Sequence, residues 1–123
     1  MREITFVIAD DATFMRTMLR KMIEGTEGYK VIAEAQNGIE AIKLAGELKP
    51  DIITLDITMP EMGGLEAVEK IVDVSPKTRI IMVSAMGQQS MVIEAIKHGA
   101  SDFVVKPFEK SRFLQAVRNV LAV

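Results

Sequence analysis

No cysteine occurs among the 123 residues. A disulfide framework, a thiolate zinc site and a thiol nucleophile are thereby excluded. Histidine is nearly absent too. The single one, His98, stands before Gly99 at the end of a helical stretch, where a protonated ring suits the helix dipole, and its expected role is structural. No apolar run reaches the ~18–20 residues that cross a bilayer. The N-terminus lacks the charged-then-apolar pattern of a secretory signal. The expectation is a cytoplasmic protein without membrane insertion. Neither charge sign dominates: 15 Lys and Arg face 17 Asp and Glu, the formal net charge is −2, and no basic block stands out. Nucleic-acid binding needs an electrostatic footprint and is not expected.

What the chain has in quantity is apolar side chain, 49% of all residues, enough for a sizeable core in a single domain over 1–123. It comes in short runs. Ile4–Ala9, Lys30–Ala35, Asp51–Leu55, Arg79–Ser84 and Ser101–Val105 read as strands, β-branched and mostly apolar. Between them the apolar spacing changes to threes and fours. Ala12–Gly25 carries Phe14, Met15, Met18, Leu19, Met22 and Ile23 at that spacing, with Asp11 or Thr13 in position to cap it. Asn37 opens the next helix with Glu40 three residues on, close to a capping box. Ala41, Ile42, Ala45 and Leu48 form its inner face and Pro50 stops it. Leu65–Val74, Gln88–His98 and Lys110–Leu121 complete the set, the last with Phe113, Ala116, Val117, Val120 and Leu121 inward. Strand and helix alternate five times. That argues a five-stranded parallel sheet in the order 2-1-3-4-5 with helices on both faces, the doubly wound, flavodoxin-like α/β class.

In such a sheet the carboxyl ends of the strands share one edge, and ligands bind there. Asp10 and Asp11 follow strand one, Asp56 strand three, Ser84 ends strand four, and Lys106 follows strand five. Pro60 lacks an N–H and cannot lie in a central strand, so strand three is over before it. Strands one and three are neighbours, which brings three carboxylates together. They repel, and a hard divalent cation relieves this. The trio implies Mg²⁺, with Asp11 and Asp56 as direct ligands, Asp10 direct or through water, and the Thr58 backbone carbonyl as a further ligand. A carboxylate beside a metal and a lysine can act as a nucleophile toward phosphorus, with Mg²⁺ and Lys106 as countercharges. The Ser84 hydroxyl can donate to a phosphoryl oxygen.

Asp10-Asp11, Asp56 followed by Met59-Pro60, Ser84-Ala85 and Lys106-Pro107-Phe108 together resemble the receiver domain of two-component response regulators, over the whole chain. The run from Ser84 to Gln89 is similar, more narrowly, to single-domain chemotaxis response regulators of the CheY type. The resemblance implies that Asp56 is the phosphoacceptor for a sensor histidine kinase, the chemotaxis kinase in the narrower case. It implies that Asp10 and Asp11 bind Mg²⁺, that Ser84 and Lys106 contact the phosphoryl group, and that Phe103 is the switch aromatic, turning inward on phosphorylation. It also implies a cis Lys106–Pro107 bond. The implied partners are that kinase, the flagellar motor switch protein and a phosphatase, with the protein itself a monomer. Such a protein is not an enzyme but a phosphoacceptor that assists its own phosphorylation and dephosphorylation.

Three positions depart from the common pattern. Thr58 and Met86 stand two residues after Asp56 and Ser84, where they flank the path of an attacking water. Gly63-Gly64 stands where receivers commonly show Asp-Gly or Asn-Gly, and the extra glycine is expected to loosen that loop. The helix holding Met91, Val92, Ile93, Ala95 and Ile96 has more apolar surface than one stripe can bury, so one or two of these should face solvent on a partner face formed with strand five and the last helix. Four other readings compete. A receiver used as a protein–protein scaffold without phosphorylation would have no need of the intact five-residue set. A stand-alone receiver in another phosphorelay would share the site. An aspartyl-phosphate phosphohydrolase resembles D-x-D at its nucleophile, where this chain has Thr58. A flavin mononucleotide carrier would need a Gly- and Ser/Thr-rich loop where Asp10-Asp11 stands.

Overall fold

The computed structural model describes residues 2–122. The elements run β1 (Ile4–Ala9), α1 (Thr13–Glu24), β2 (Tyr29–Ala35), α2 (Gly38–Leu48), β3 (Ile52–Leu55), α3 (Gly64–Val74), β4 (Arg79–Ser84), α4 (Gln89–His98), β5 (Asp102–Val105) and α5 (Lys110–Leu121). All strand pairs are parallel and the order is β2-β1-β3-β4-β5, as the alternation requires. Ends differ from the sequence reading by a residue or so, the usual fraying of helix and strand termini.

Both faces of the sheet are covered, which is why its strands are almost continuously aliphatic. The two-residue period of a strand sorts them. Val7, Ala9, Ile53, Leu55, Ile80, Met82 and Phe103 enter one core with α2, α3 and α4. Phe6, Ile8, Ile52, Ile81, Val83 and Val104 enter the other with α1 and α5. Full burial of each of the large aliphatic side chains contributes about 1.5–3 kcal/mol. One polar group interrupts this. Among the described residues the Thr54 hydroxyl oxygen, two residues before Asp56, is buried without a hydrogen-bond partner, at a penalty of about 1–3 kcal/mol.

Several helix details differ from expectation. Phe14 is 75% exposed rather than part of the inner stripe, because α1 buries Arg16, Leu19 and Ile23 instead. Met15, Met18 and Met22 are only half buried. Leu48 and Leu121 lie in the last turns of their helices and are exposed, not inward. Neither Asp11 nor Thr13 caps α1: Ala12 is its N-cap residue and makes no side-chain bond. The Asp10 carboxylate accepts from the Ala12 amide instead, at 2.9 Å. The α2 cap is as read: Asn37 accepts from the Glu40 amide at 2.9 Å, and Glu40 reaches back to the Gln36 amide at 2.9 Å. On α4, Ile93 and Ile96 are the two apolar residues left facing solvent.

At the amino end of the sheet, Asp51 clasps β1 to β3. Its carboxylate accepts from the Thr5 amide at 2.8 Å and from the Arg2 guanidinium at 2.8 and 3.0 Å. Burial pulls its pKa upward, but the Thr5 and Arg2 bonds together outweigh this and hold it below the ordinary 3.8. A depressed carboxyl pKa adds stability above the unfolded value, and that stability is lost as pH falls through the folded one. Replacing Asp51 by Ala is expected to lower unfolding stability by about 2 kcal/mol near neutral pH. Urea titrations at descending pH should show the difference from the parent shrinking as pH falls beneath the ordinary carboxylate range toward the depressed folded pKa.

Candidate functional site

Asp10, Asp56 and Lys106 each occupy the first position past a strand. One further backbone bond holds each of them there. The Asp10 amide donates to the Ala35 carbonyl at 3.0 Å, the Asp56 amide to Ala9 at 3.1 Å, and the Lys106 amide to Ser84 at 2.9 Å. The ladder thus runs one step beyond the strands and fixes three side-chain origins on one edge. Strand parity then sets their direction. Asp10 continues the row Phe6-Ile8, Asp56 the row Ile52-Thr54, and Lys106 follows Val104, so all three belong to the α1/α5 face.

The outcome is direct contact. The Lys106 ammonium donates to Asp10 Oδ2 at 2.8 Å and to Asp56 Oδ2 at 3.1 Å. Asp10 is 1% exposed and Asp56 8%. Asp11 is exposed, yet one carboxylate oxygen from each of Asp10, Asp11 and Asp56 lies within 4.8 Å of the others. Two ionised carboxylates at that separation repel by about 3–4 kcal/mol at an effective dielectric constant of ~20. One ammonium against three carboxylates leaves two negative charges over, the deficit that a divalent cation fills. Burial pulls the Lys106 pKa down, but its bonds to Asp10 and Asp56 outweigh burial and hold it above the ordinary 10.5. The ammonium therefore stays charged across the physiological range.

Ser84 ends β4 on the opposite face from Asp56, in the row of Ile80 and Met82, and is 1% exposed. Its hydroxyl oxygen accepts from the Met86 amide at 3.2 Å. Among the described residues it makes no hydrogen bond to Asp56. The two departures noted in the sequence meet each other: the Thr58 hydroxyl donates to the Met86 sulfur at 3.3 Å. Phe103 is 6% exposed and packed in the core beneath α4. In this conformation the pleat of β5 already puts the ring on the inner side. The Lys106–Pro107 bond is cis, as the resemblance implies.

Gly63 and Gly64 lie where the loop after β3 folds back on its own backbone. The Gly64 amide donates to the Ile57 carbonyl at 2.8 Å. A Cβ at Gly64 would lie 2.1 Å from the Asp56 carbonyl oxygen, and one at Gly63 2.8 Å from the Ile57 carbonyl oxygen. The pair exists for close approach of backbone to backbone, which presses the start of α3 against the Asp56 peptide. Two residues near the site escaped the sequence reading. Arg16 donates to the Asp10 carbonyl at 2.6 Å while 8% exposed. Its signal was a charge at core spacing, three and seven residues before Leu19 and Ile23. Thr54 is the other, and its signal was one hydroxyl in an aliphatic strand.

The family description "Response regulator receiver domain" matches residues 6–118. Among curated proteins the chain is 54% identical to chemotaxis protein CheY of Listeria monocytogenes, over 94% of this chain and 97% of that one. It is 56% identical to chemotaxis protein CheY of Thermotoga maritima, over 93% and 94% of the two chains. Among solved structures it is similar to the response regulator domain of Thermotoga maritima CheB, with a TM-score of 0.92, 37% identity, and 99% and 98% of the two chains covered. It is also similar to a chain of the CheX–CheY–BeF3–Mg²⁺ complex of Borrelia burgdorferi, with a TM-score of 0.91, 34% identity, and 98% and 90% covered.

Three substitutions test the geometry. Lys106→Met removes the cation that competes for Asp10 and Asp56, so Mg²⁺ affinity by titration calorimetry is expected to rise several-fold, whereas Asp11→Asn should lower it. Gly64→Ala forces the Asp56 peptide to move and is expected to lower stability by about 2 kcal/mol or more in urea unfolding.

Proposed function

Because this chain belongs to the response regulator receiver domain family and has close relatives named chemotaxis protein CheY, we propose that it is a phosphorylation-activated signalling switch with Asp56 as its phosphoacceptor. The observation that carries this reading is the Lys106 ammonium held between Asp10 and Asp56 at the edge of a three-carboxylate cluster. A lone strand-end aspartate needs no such surroundings. A nucleophile toward phosphorus does, because phosphoryl transfer is governed by positioning and countercharge.

The donor is a phosphohistidine on a sensor histidine kinase, the chemotaxis kinase by kinship with the named relatives. An Asp56 carboxylate oxygen attacks phosphorus, the P–N bond breaks, and the imidazole leaves with the bonding pair. Asp10, Asp11, Asp56 and the Thr58 carbonyl would hold Mg²⁺, which supplies positive charge against the equatorial phosphoryl oxygens. Lys106 gives up its bond to Asp56 for one of those oxygens and keeps Asp10. The Ser84 hydroxyl, whose oxygen now accepts from the Met86 amide, turns away from that amide and donates its own hydrogen to another of those oxygens. In this capacity the chain assists its own phosphorylation and dephosphorylation without being an enzyme.

The response passes through the loop 85–88, whose four residues are all exposed, into α4. When Ser84 leaves Met86, that loop loses its tie to the end of β4. The face of α4, β5 and α5 with exposed Ile93, Ile96 and Val105 then changes its fit for a target. Among the described residues no helix is long and apolar enough to cross a membrane. The reading is of a cytoplasmic monomer whose target is the flagellar motor switch protein, reset with the help of a phosphatase.

The decisive experiment is brief incubation with Mg²⁺ and acetyl phosphate, followed by intact-mass measurement. One phosphoryl adduct is expected on the parent, and none on Asp56→Asn or without Mg²⁺. A parent that forms no adduct and releases no phosphate from the donor would refute the reading.

A further inference from the structure

Asp11 is the member of the carboxylate cluster that nothing holds. Among the described residues its side chain makes no hydrogen bond, whereas Asp10 is tied to the Ala12 amide and to Lys106, and Asp56 to Lys106. Its direction is therefore set by its backbone, and above all by the peptide plane that joins Asp10 to Asp11. That plane is held from one side by a buried arginine. Arg16 Nη1 donates to the Asp10 carbonyl oxygen at 2.6 Å, its Nη2 to the Thr13 hydroxyl at 3.2 Å, and its Nε to Glu34 Oε1 at 2.9 Å.

Glu34 is itself anchored. It stands on β2, and its second oxygen takes Arg20 Nε at 2.8 Å and Arg20 Nη2 at 2.7 Å. Burial pushes the Glu34 pKa up, but the two arginines outweigh it and hold the carboxyl below its ordinary value. The fork is thus braced against the sheet by β2 and against α1 by Thr13. A guanidinium can do this because its donors are fixed in one plane; a lysine ammonium cannot serve three acceptors in that arrangement. The pairing has an electrostatic side. An unpaired cation this close to the carboxylates would compete with a metal, but Arg16 and Arg20 are balanced by Glu34 and Glu24, the latter bonded to Arg20, so the cluster carries no net charge.

We propose that Arg16 is a positioning residue for the divalent-cation site: through the Asp10 carbonyl it fixes the peptide that aims Asp11, with Glu34 as its brace. This rests on the Mg²⁺ reading given above and deepens it. A metal ligand is as good as the group that orients it, and loss of such an outer partner typically weakens metal affinity by about 10–100-fold. Arg20 shares the same brace but does not touch Asp10, so it serves as the internal control.

The test is Mg²⁺ titration by calorimetry on the parent, Arg16→Met, Arg16→Lys and Arg20→Met, each checked for folding by far-ultraviolet circular dichroism and thermal unfolding. Arg16→Met is expected to bind Mg²⁺ about ten-fold more weakly. Arg16→Lys, which keeps the charge and is the safer variant for folding, should still lose several-fold. Arg20→Met should lose some thermal stability and bind Mg²⁺ as the parent does. Selective movement of the Asp11 amide resonance in the two Arg16 variants would mark the peptide as the part that moved. Folded Arg16 variants that bind within two-fold of the parent would overturn the proposal. If Arg16→Met does not fold, Arg16→Lys decides alone. If Arg20→Met weakens Mg²⁺ as much as the Arg16 variants, the effect is general softening of α1 and the proposal fails. A parent that takes up no Mg²⁺ would overturn the reading beneath it as well.

Discussion

The Lys106 ammonium bonded to both Asp10 and Asp56 is the contact to which the rest of the site answers. It joins the carboxyl ends of three strands that are not all neighbours: β1 and β3 adjoin, and β5 lies beyond β4. No single loop could bring these groups together. The sheet does so by extending its ladder one residue past each strand, so that an accurate backbone lattice becomes an accurate placement of charge. A buried lysine between two buried carboxylates would be hard to retain in an isolated setting, since desolvation penalises each charge. Here the cluster lies at an edge with Asp11 exposed, so water and ions have access to its surplus negative charge.

That arrangement divides the molecule by face. Asp10, Asp56 and Lys106 belong to the α1/α5 side, while Ser84 and Phe103 lie in the rows packed against α2, α3 and α4. The carboxylate cluster and α4 are therefore on opposite sides of one sheet. Ser84 ends its strand at the same edge where the carboxylates stand, on the α4 side. Its tie to the Met86 amide keeps the loop 85–88 in register with β4. On the other flank backbone lies against backbone: Gly64 packs on the Asp56 peptide, and any side chain there would meet the Asp56 carbonyl oxygen. One flank of the site is thus set by close backbone packing and the other by a single hydroxyl.

Much of this was readable before any coordinates, and the reasons are specific. The alternation of apolar period settles a parallel sheet, and crossover handedness leaves few orders for it, so the convergence of Asp10, Asp11, Asp56 and Lys106 follows from chain order alone. What failed were readings that treat an apolar letter as an inward one. Phe14 falls at helical spacing, yet α1 buries the Arg16, Leu19 and Ile23 stripe and turns Phe14 outward to an open groove with Met15, Met18, Ala85, Pro107 and Phe108. Leu48 and Leu121 fail because a terminal turn overhangs its core. A doubled glycine shows only local conformational freedom in the sequence, whereas close approach depends on a carbonyl six or eight residues away. Arg16 was overlooked since a lone charge in an apolar stripe has meaning only once its three acceptors are known.

The order in which the chain supplies the site differs from the order in which the sheet arranges it. Asp10, Asp11 and Asp56 are all in place once β1 and β3 have paired, but their ammonium partner lies 50 residues beyond Asp56 and follows the last strand, an edge strand that pairs only with β4. Within the β1–β3 pair alone the three carboxylates stand together without a countercharge, and the segment that carries the ammonium is held to the sheet only through β4. The β4–β5 pairing therefore completes the sheet and the charge balance of its edge together, a double duty that the purely aliphatic pairings elsewhere in the sheet do not have.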